Sequence, residues 1–256
     1  ASQRQNADAL ELPPYYPDAP LVRRDLARHY DNIAAMDRQG GELLGQLEKD
    51  GLADDTVVLF FADNGRLEAR GIHWCWDSGL RVPMILHWPE NHPAPPQYMP
   101  GSVNEQVISL LDLTATTLSI AGIERLPTMQ SRNFLGESAD QSRTYASSAR
   151  DRIDETVVRL RSVRDGRYHY VRNYTRGAGF TTLNRYKEKC FLVKPLMREL
   201  FEKGKLTGPA LDLMHPFRRE QLYDTAADPH EIENLADSDD PQHRAALTRL
   251  RAALDT

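Results

Sequence analysis

Asp63-Asn64-Gly65 sets a carboxylate, an amide oxygen and a glycine in direct succession. Two adjacent hard oxygens suit calcium or magnesium better than a soft metal. The same three residues are preferred turn formers, so a plain strand-ending turn is the other reading. A second concentration of charge is Arg150-Asp151-Arg152-Ile153-Asp154-Glu155, which on charge alone reads as a solvated face. The two cysteines, Cys75 and Cys190, have no zinc-site spacing and cannot build a disulfide framework.

The elements that would position these groups follow from periodicity. Thr56 to Ala62 is an unbroken β-branched and aromatic run, the pattern of a strand buried on both faces of a parallel sheet. Asp63 and Asn64 would stand at its carboxyl end, where open α/β sheets bind ligands. From Val22 to Leu47 apolar residues recur mainly in steps of three and four, which predicts a helix over 22–49 with one buried stripe. Val82 to Trp88 reads as a short strand closed by Pro89, and Val107 to Ala121 as a helix ended by Gly122. Helix, strand, strand and helix in this order predict an α/β layer. Beyond residue 126, short strands are expected at 144–148, 157–163 and 168–173, the last two joined by an Asp165-Gly166 hairpin turn. A helix over 193–203, a strand over 221–223 and a terminal helix over 240–254 complete a small antiparallel sheet with helices. The expected division is 1–126, part of an α/β core, and 127–256, a small α+β subdomain.

Composition bounds the function. Hydrophobic residues are 40% and charged residues 27% of 256, values that exclude collagen, a coiled-coil array and wholesale disorder. The net charge of −5 has the wrong sign for a nucleic-acid partner. No run of about 18 apolar residues exists to span a membrane. The chain opens Ala-Ser-Gln without an apolar leader core, so an upstream segment is expected.

Residues 56–89 resemble the sulfatase family of the alkaline phosphatase superfamily. In that family a buried strand ends in Ser-Asp-Asn-Gly, and a basic loop leads into Glu/Asp-Gly/Ser-Gly-x-Arg-x-Pro and a strand ending in Trp-Pro. The counterparts are Asp63-Asn64-Gly65, Asp77-Ser78-Gly79-Leu80-Arg81-Val82-Pro83 and Trp88-Pro89. Leu111-Asp112-Leu113 before Ala121-Gly122-Ile123 is similar to a family helix. Leu222-Tyr223-Asp224, Asp228-Pro229-x-Glu231 and Asn234-Leu235 resemble the family's C-terminal ending. The pattern is most similar to the branch of heparan N-sulfatases and related bacterial sulfatases.

The resemblance implies part of an alkaline-phosphatase-like sheet-and-helix sandwich with a small C-terminal antiparallel subdomain. It implies a calcium-dependent hydrolase of sulfuric esters or N-sulfates, with Asp63 and Asn64 among the Ca2+ ligands. The family's nucleophile is a formylglycine made in Cys/Ser-x-Pro-x-Arg. No Cys or Ser of this chain has Pro two residues on, so the formylglycine is expected in an upstream segment, and the chain resembles the C-terminal portion of a sulfatase. The family's sulfate-binding Lys falls at Ile72 here. Its neighbours Arg70 and His73 are the catalytic candidates, with a surface role for Arg70 and a structural role for His73 beside Trp74 and Trp76 as the alternatives. Arg150, Asp154 and Glu155 are the substrate-binding candidates, because loops of this kind shape the pocket in similar sulfatases. Asp77 and Arg81 are expected to pair as a structural clamp. The implied partners are a sulfated small molecule or glycan, and a missing N-terminal half or complementary chain. The implied location is periplasmic or extracellular. The competing readings are an inactive remnant serving as a binding module and a phosphodiesterase of the same superfamily. An exposed strand edge is expected where a missing half would pack.

Overall fold

The computed structural model describes residues 4–66 and 70–255. Pro20 opens helix α1 (Pro20–Lys49) at a position that needs no amide donor. Strand β1 (Val58–Phe61) then pairs antiparallel with β2 (Met84–His87), Val58 opposite His87 and Phe61 opposite Met84. The sequence pattern predicts a parallel strand buried on both faces, and the structure corrects it. Phe60, Phe61 and Ile85 are 37%, 45% and 62% exposed. Among the described residues no third strand pairs with this hairpin, which leaves those side chains uncovered while Val58, Leu59, Met84 and Leu86 are half-buried. The stripe of α1 behaves alike: Val22 and Leu26 are buried, whereas Ile33, Met36 and Leu44 face outward.

A four-stranded antiparallel sheet forms the second layer. Its order is β3 (Ala146–Ile153), β4 (Thr156–Arg164), β5 (Tyr168–Asn173) and β6 (Glu220–Asp224). Alternation along the strands sends side chains to both faces. Tyr168, Tyr170 and Leu222 face helix α7 (Pro241–Asp255) and its Ala246, Leu247 and Leu250. Val171 and Tyr223, with Val158 and Leu160, belong to the larger core. That core also takes Tyr15, Val22, Trp74 and Trp76 from the first half of the chain, so packing crosses residue 126.

The remaining helices are α2 (Asp77–Leu80), α3 (Asp112–Ile120), α4 (Arg185–Cys190), α5 (Val193–Glu202) and α6 (Gly208–Asp212). Helix α3 is shorter than the 107–121 expected. Val107 is drawn into a β-bridge with Arg143. Asp112, at the helix start, accepts the Ser109 amide and both arms of Arg143.

Candidate functional site

Asp63 and Asn64 follow β1 after one residue, Ala62, with Asp63 exposed and Asn64 half-buried. Neither side chain bonds to another described residue, so their oxygens stay open to a hard cation. The turn is pinned against the 77–81 segment by the Gly65 amide, which donates to the Gly79 carbonyl at 2.9 Å. The approach is so close that a methyl group on Gly65 would lie 2.0 Å from the Ser78 carbonyl oxygen.

Residues 70–76 form a tightly held loop. Arg70 and His73 have φ of 65° and 78°, left-handed values that non-glycine residues seldom adopt. Each carbonyl of the bend is caught. The Arg70 carbonyl accepts the Ser78 hydroxyl at 2.7 Å and the Gly71 carbonyl the Trp74 amide at 3.1 Å. The Ile72 carbonyl accepts Lys187 Nζ at 2.7 Å, and the His73 carbonyl accepts Arg150 Nη1 at 2.6 Å.

The two catalytic candidates part company here. Arg70 is buried, with Nη1 and Nη2 donating to the carbonyls of His230 and Glu231 at 3.0 and 2.7 Å. It also stacks on Trp76, 4.9 Å from the ring centroid. In this geometry Arg70 holds the C-terminal turn, with its two terminal nitrogens committed. His73 stands instead beside two cations. Burial, then the charges of Lys187 and Arg150, lower its pKa and favour the neutral ring.

The Arg150 side chain leaves β3 and lies over Trp74, its Cζ 4.0 Å from the ring centroid. Burial brings its pKa down to about 10. Lys187, buried on α4, sits 5.4 Å from the same centroid. Burial, then Arg150 and Lys194, lower its pKa to about 7. Sequence reading passed over Lys187, because α4 is only six residues long and carries no long apolar period. The available signal was Asn184, whose side chain caps the helix by accepting the Lys187 amide.

Asp154 and Glu155 lie in the β3–β4 turn and work on α4. Asp154 Oδ2 accepts Asn184 Nδ2 at 3.2 Å, and Glu155 Oε1 accepts the Arg185 amide at 2.7 Å. The structure thus gathers His73, Arg150, Asp154 and Glu155 around one corner of the molecule, whereas Arg70 points to residues 230–231. Among the described residues no contact joins Asp63 or Asn64 to that corner.

A second buried cluster joins Asp77, His169 and Glu231, whose donor atoms lie within 4.8 Å of one another. Glu231 Oε1 pairs with His169 Nδ1 at 2.5 Å, and Oε2 accepts the Asp77 amide at 2.9 Å. Both Asp77 oxygens take Arg164 Nη1 at 2.7 Å. Asp77 therefore pairs with Arg164 and not with Arg81, which lies exposed at the far end of α2. With every carboxylate oxygen already satisfied, this cluster fits a structural lock better than a cation site.

Residues 2–123 match the family model described as sulfatase. The chain is 36% identical over 245 residues to an ulvan-active sulfatase of Formosa agariphila, covering 95% of this chain and 40% of that protein. It is 29% identical over 267 residues to the N-sulphoglucosamine sulphohydrolase of Homo sapiens, covering 95% and 49%. It therefore spans less than half the length of these curated relatives. Among solved structures, a putative sulfatase from Bacteroides fragilis superposes with a TM-score of 0.63 at 22% identity, over 98% of this chain and 48% of that one. A protein solved in complex with D-glucosamine-2-N,6-O-disulfate superposes with a TM-score of 0.58 at 19% identity, over 91% and 40%.

Proposed function

Because this chain belongs to the sulfatase family, we propose that it is part of an enzyme hydrolysing sulfuric esters or N-sulfates of a glycan. One observation carries the reading. Asp63 and Asn64 present unbonded hard oxygens at the end of β1, on a turn fixed against the 77–81 segment by the Gly65–Gly79 hydrogen bond. Both would serve as calcium ligands, and the bound cation would draw charge from the sulfate oxygens. Two side chains are too few for calcium, which takes six to eight oxygens, so further ligands must come from outside this pair. His73 and Arg150 are the groups we assign to substrate, with Asp154 and Glu155 holding the helix behind them. Arg70 acts as a clamp in this reading.

The nucleophile is not supplied by this chain, since no Cys or Ser in it has Pro two residues on. No bond-breaking step is therefore assigned to its residues. The exposed stripe of α1 and the open faces of β1 and β2 support packing by the rest of a sulfatase core. No helix among the described residues is long and apolar enough to cross a membrane. Periplasmic or extracellular action on sulfated glycans is consistent with this reading.

The test is metal content. Calcium titrated into this chain is expected to bind weakly, and Asp63→Ala to abolish that binding. In a longer form carrying the nucleophile segment, the same substitution should lower both calcium content and turnover of an aryl sulfate. Equal calcium in wild type and variant would remove Asp63 from the metal site and leave only a turn.

A further inference from the structure

Two basic side chains are buried side by side with no carboxylate paired to them among the described residues. Arg150 and Lys187 are 6% and 4% exposed. Among the described residues neither makes an ion pair with a carboxylate, although ion pairs are frequent elsewhere in the molecule, including Lys194 with Glu188 at 3.3 Å. Each depresses the proton affinity of His73, and Arg150 that of Lys187, so all three share one electrostatic neighbourhood. Buried charge of one sign is costly unless paired, because desolvation and mutual repulsion add.

Donors are left over at the same place. Arg150 Nε, His73 Nδ1 and Trp74 Nε1 are all buried without a hydrogen-bond partner. Lys187 has three N–H donors and uses one, on the Ile72 carbonyl. Buried polar groups are nearly always satisfied, so several idle donors about one tryptophan indicate a group that accepts from all of them. Among the described residues, the carboxylate that acts on His73 is Asp154, which raises its pKa as the weakest influence and is bonded to Asn184.

We propose that Lys187, Arg150 and His73, with the Trp74 indole N–H, form a binding site for a sulfate-type oxyanion. This rests on the sulfatase reading for its physiological ligand but not for its existence. A tetrahedral oxyanion offers enough lone pairs for every idle donor, and its charge offsets the repulsion between the two cations. Helix α4 aims Lys187 because Asn184 and Glu155 fix its first turn. The strained 70–73 bend brings His73 and Trp74 to it.

The experiment is calorimetric titration of inorganic sulfate into the chain, with chloride holding ionic strength constant. Wild type is expected to bind one sulfate, and Lys187→Met at least tenfold more weakly. Arg185→Met removes an equal charge from the exposed face of the same helix and should leave binding unchanged. Near-UV circular dichroism checks that the variants fold. If Lys187→Met does not fold, side-chain nitrogen NMR on wild type decides: sulfate should raise the Lys187 titration midpoint from about 7. No sulfate binding, binding unaffected by Lys187→Met in a folded variant, or a midpoint unmoved by sulfate would each overturn the proposal. Sulfate binding in a longer form that never cleaves a sulfate ester would uphold this site and count against the enzymatic reading.

Discussion

Glu231→Ala should be among the most damaging single substitutions outside the apolar core. Glu231 is 2% exposed and accepts from His169 Nδ1 and the Asp77 amide at 2.5 and 2.9 Å. Arg70 Nη2 stands 4.0 Å from the same carboxylate. Each hydrogen bond to a charged group contributes roughly 1.5–3 kcal/mol. Breaking a buried charge pair by removing one partner costs about 3–5 kcal/mol. Because these overlap, we take about 3–5 kcal/mol as the total. At about 2–4 °C per kcal/mol for a chain near this size, Tm should fall by roughly 6–20 °C. Guanidinium and thermal unfolding followed by near-UV circular dichroism read this directly. Trp76, on which Arg70 stacks, adds a local fluorescence signal. Glu231→Gln keeps an acceptor for the Asp77 amide and should lose about half as much, which preserves the test if the Ala variant fails to fold. The pH dependence has a definite sign. Burial opposes ionisation of Glu231, but His169, Arg70 and the Asp77 amide outweigh it and lower its pKa below the usual 4.5. A lowered carboxylate pKa stabilises the fold above 4.5, and that contribution is lost as pH falls through the lower, folded value. The acid limb of the stability curve should therefore be shallower in Glu231→Gln. A Glu231→Ala stability within about 1 kcal/mol of wild type would refute the clamp.

Two further outcomes follow from packing and thiol environment. Gly79→Ala puts a methyl group 2.4 Å from the Gly71 carbonyl oxygen and 2.6 Å from that of Trp74. Both are backbone atoms in the locked bend, so the substitution should cost about 1–3 kcal/mol or more and weaken sulfate binding, as unfolding and titration will show. Cys75 is buried, and burial pushes its thiol pKa up against a hydrogen bond from Ser148, whereas Cys190 is exposed. A disulfide reagent should modify one thiol quickly in the folded protein and the second only on unfolding. Two fast thiols would mean that the 70–76 loop opens readily.

Much of the C-terminal sheet is legible in the sequence because its signals are local. Asp165-Gly166 fixes the β4–β5 hairpin, and the runs over 157–163 and 168–173 mark its two strands. The 56–62 run illustrates the opposite case. Continuous hydrophobicity reports that a segment wants burial on both sides, and it cannot report whether anything covers it, so β1 appears with Phe60 and Phe61 in the open. A candidate site is legible where adjacent residues carry it, as at Asp63-Asn64, the metal ligands we propose. It is not legible where one residue acts across the fold. Lys187 meets a carbonyl 115 positions away and Glu231 an amide 154 positions away, and no spacing rule reaches that far. The Asp77–Arg81 pairing failed for the same reason, since the partner proved to be Arg164 on β4.

Those long separations also set a timetable for synthesis. The loop carrying Trp74-Cys75-Trp76 is tied successively by Arg150, Lys187 and Glu231, in their order along the chain. A ribosome adding about 5–20 residues per second takes roughly 8–30 s to travel from Asp77 to Glu231. Throughout that interval the Trp-Cys-Trp triplet, later among the most deeply enclosed segments in the molecule, is only partly covered. The nascent chain is then at its most aggregation-prone, and a chaperone that shields this triplet would be released only when the last tie forms.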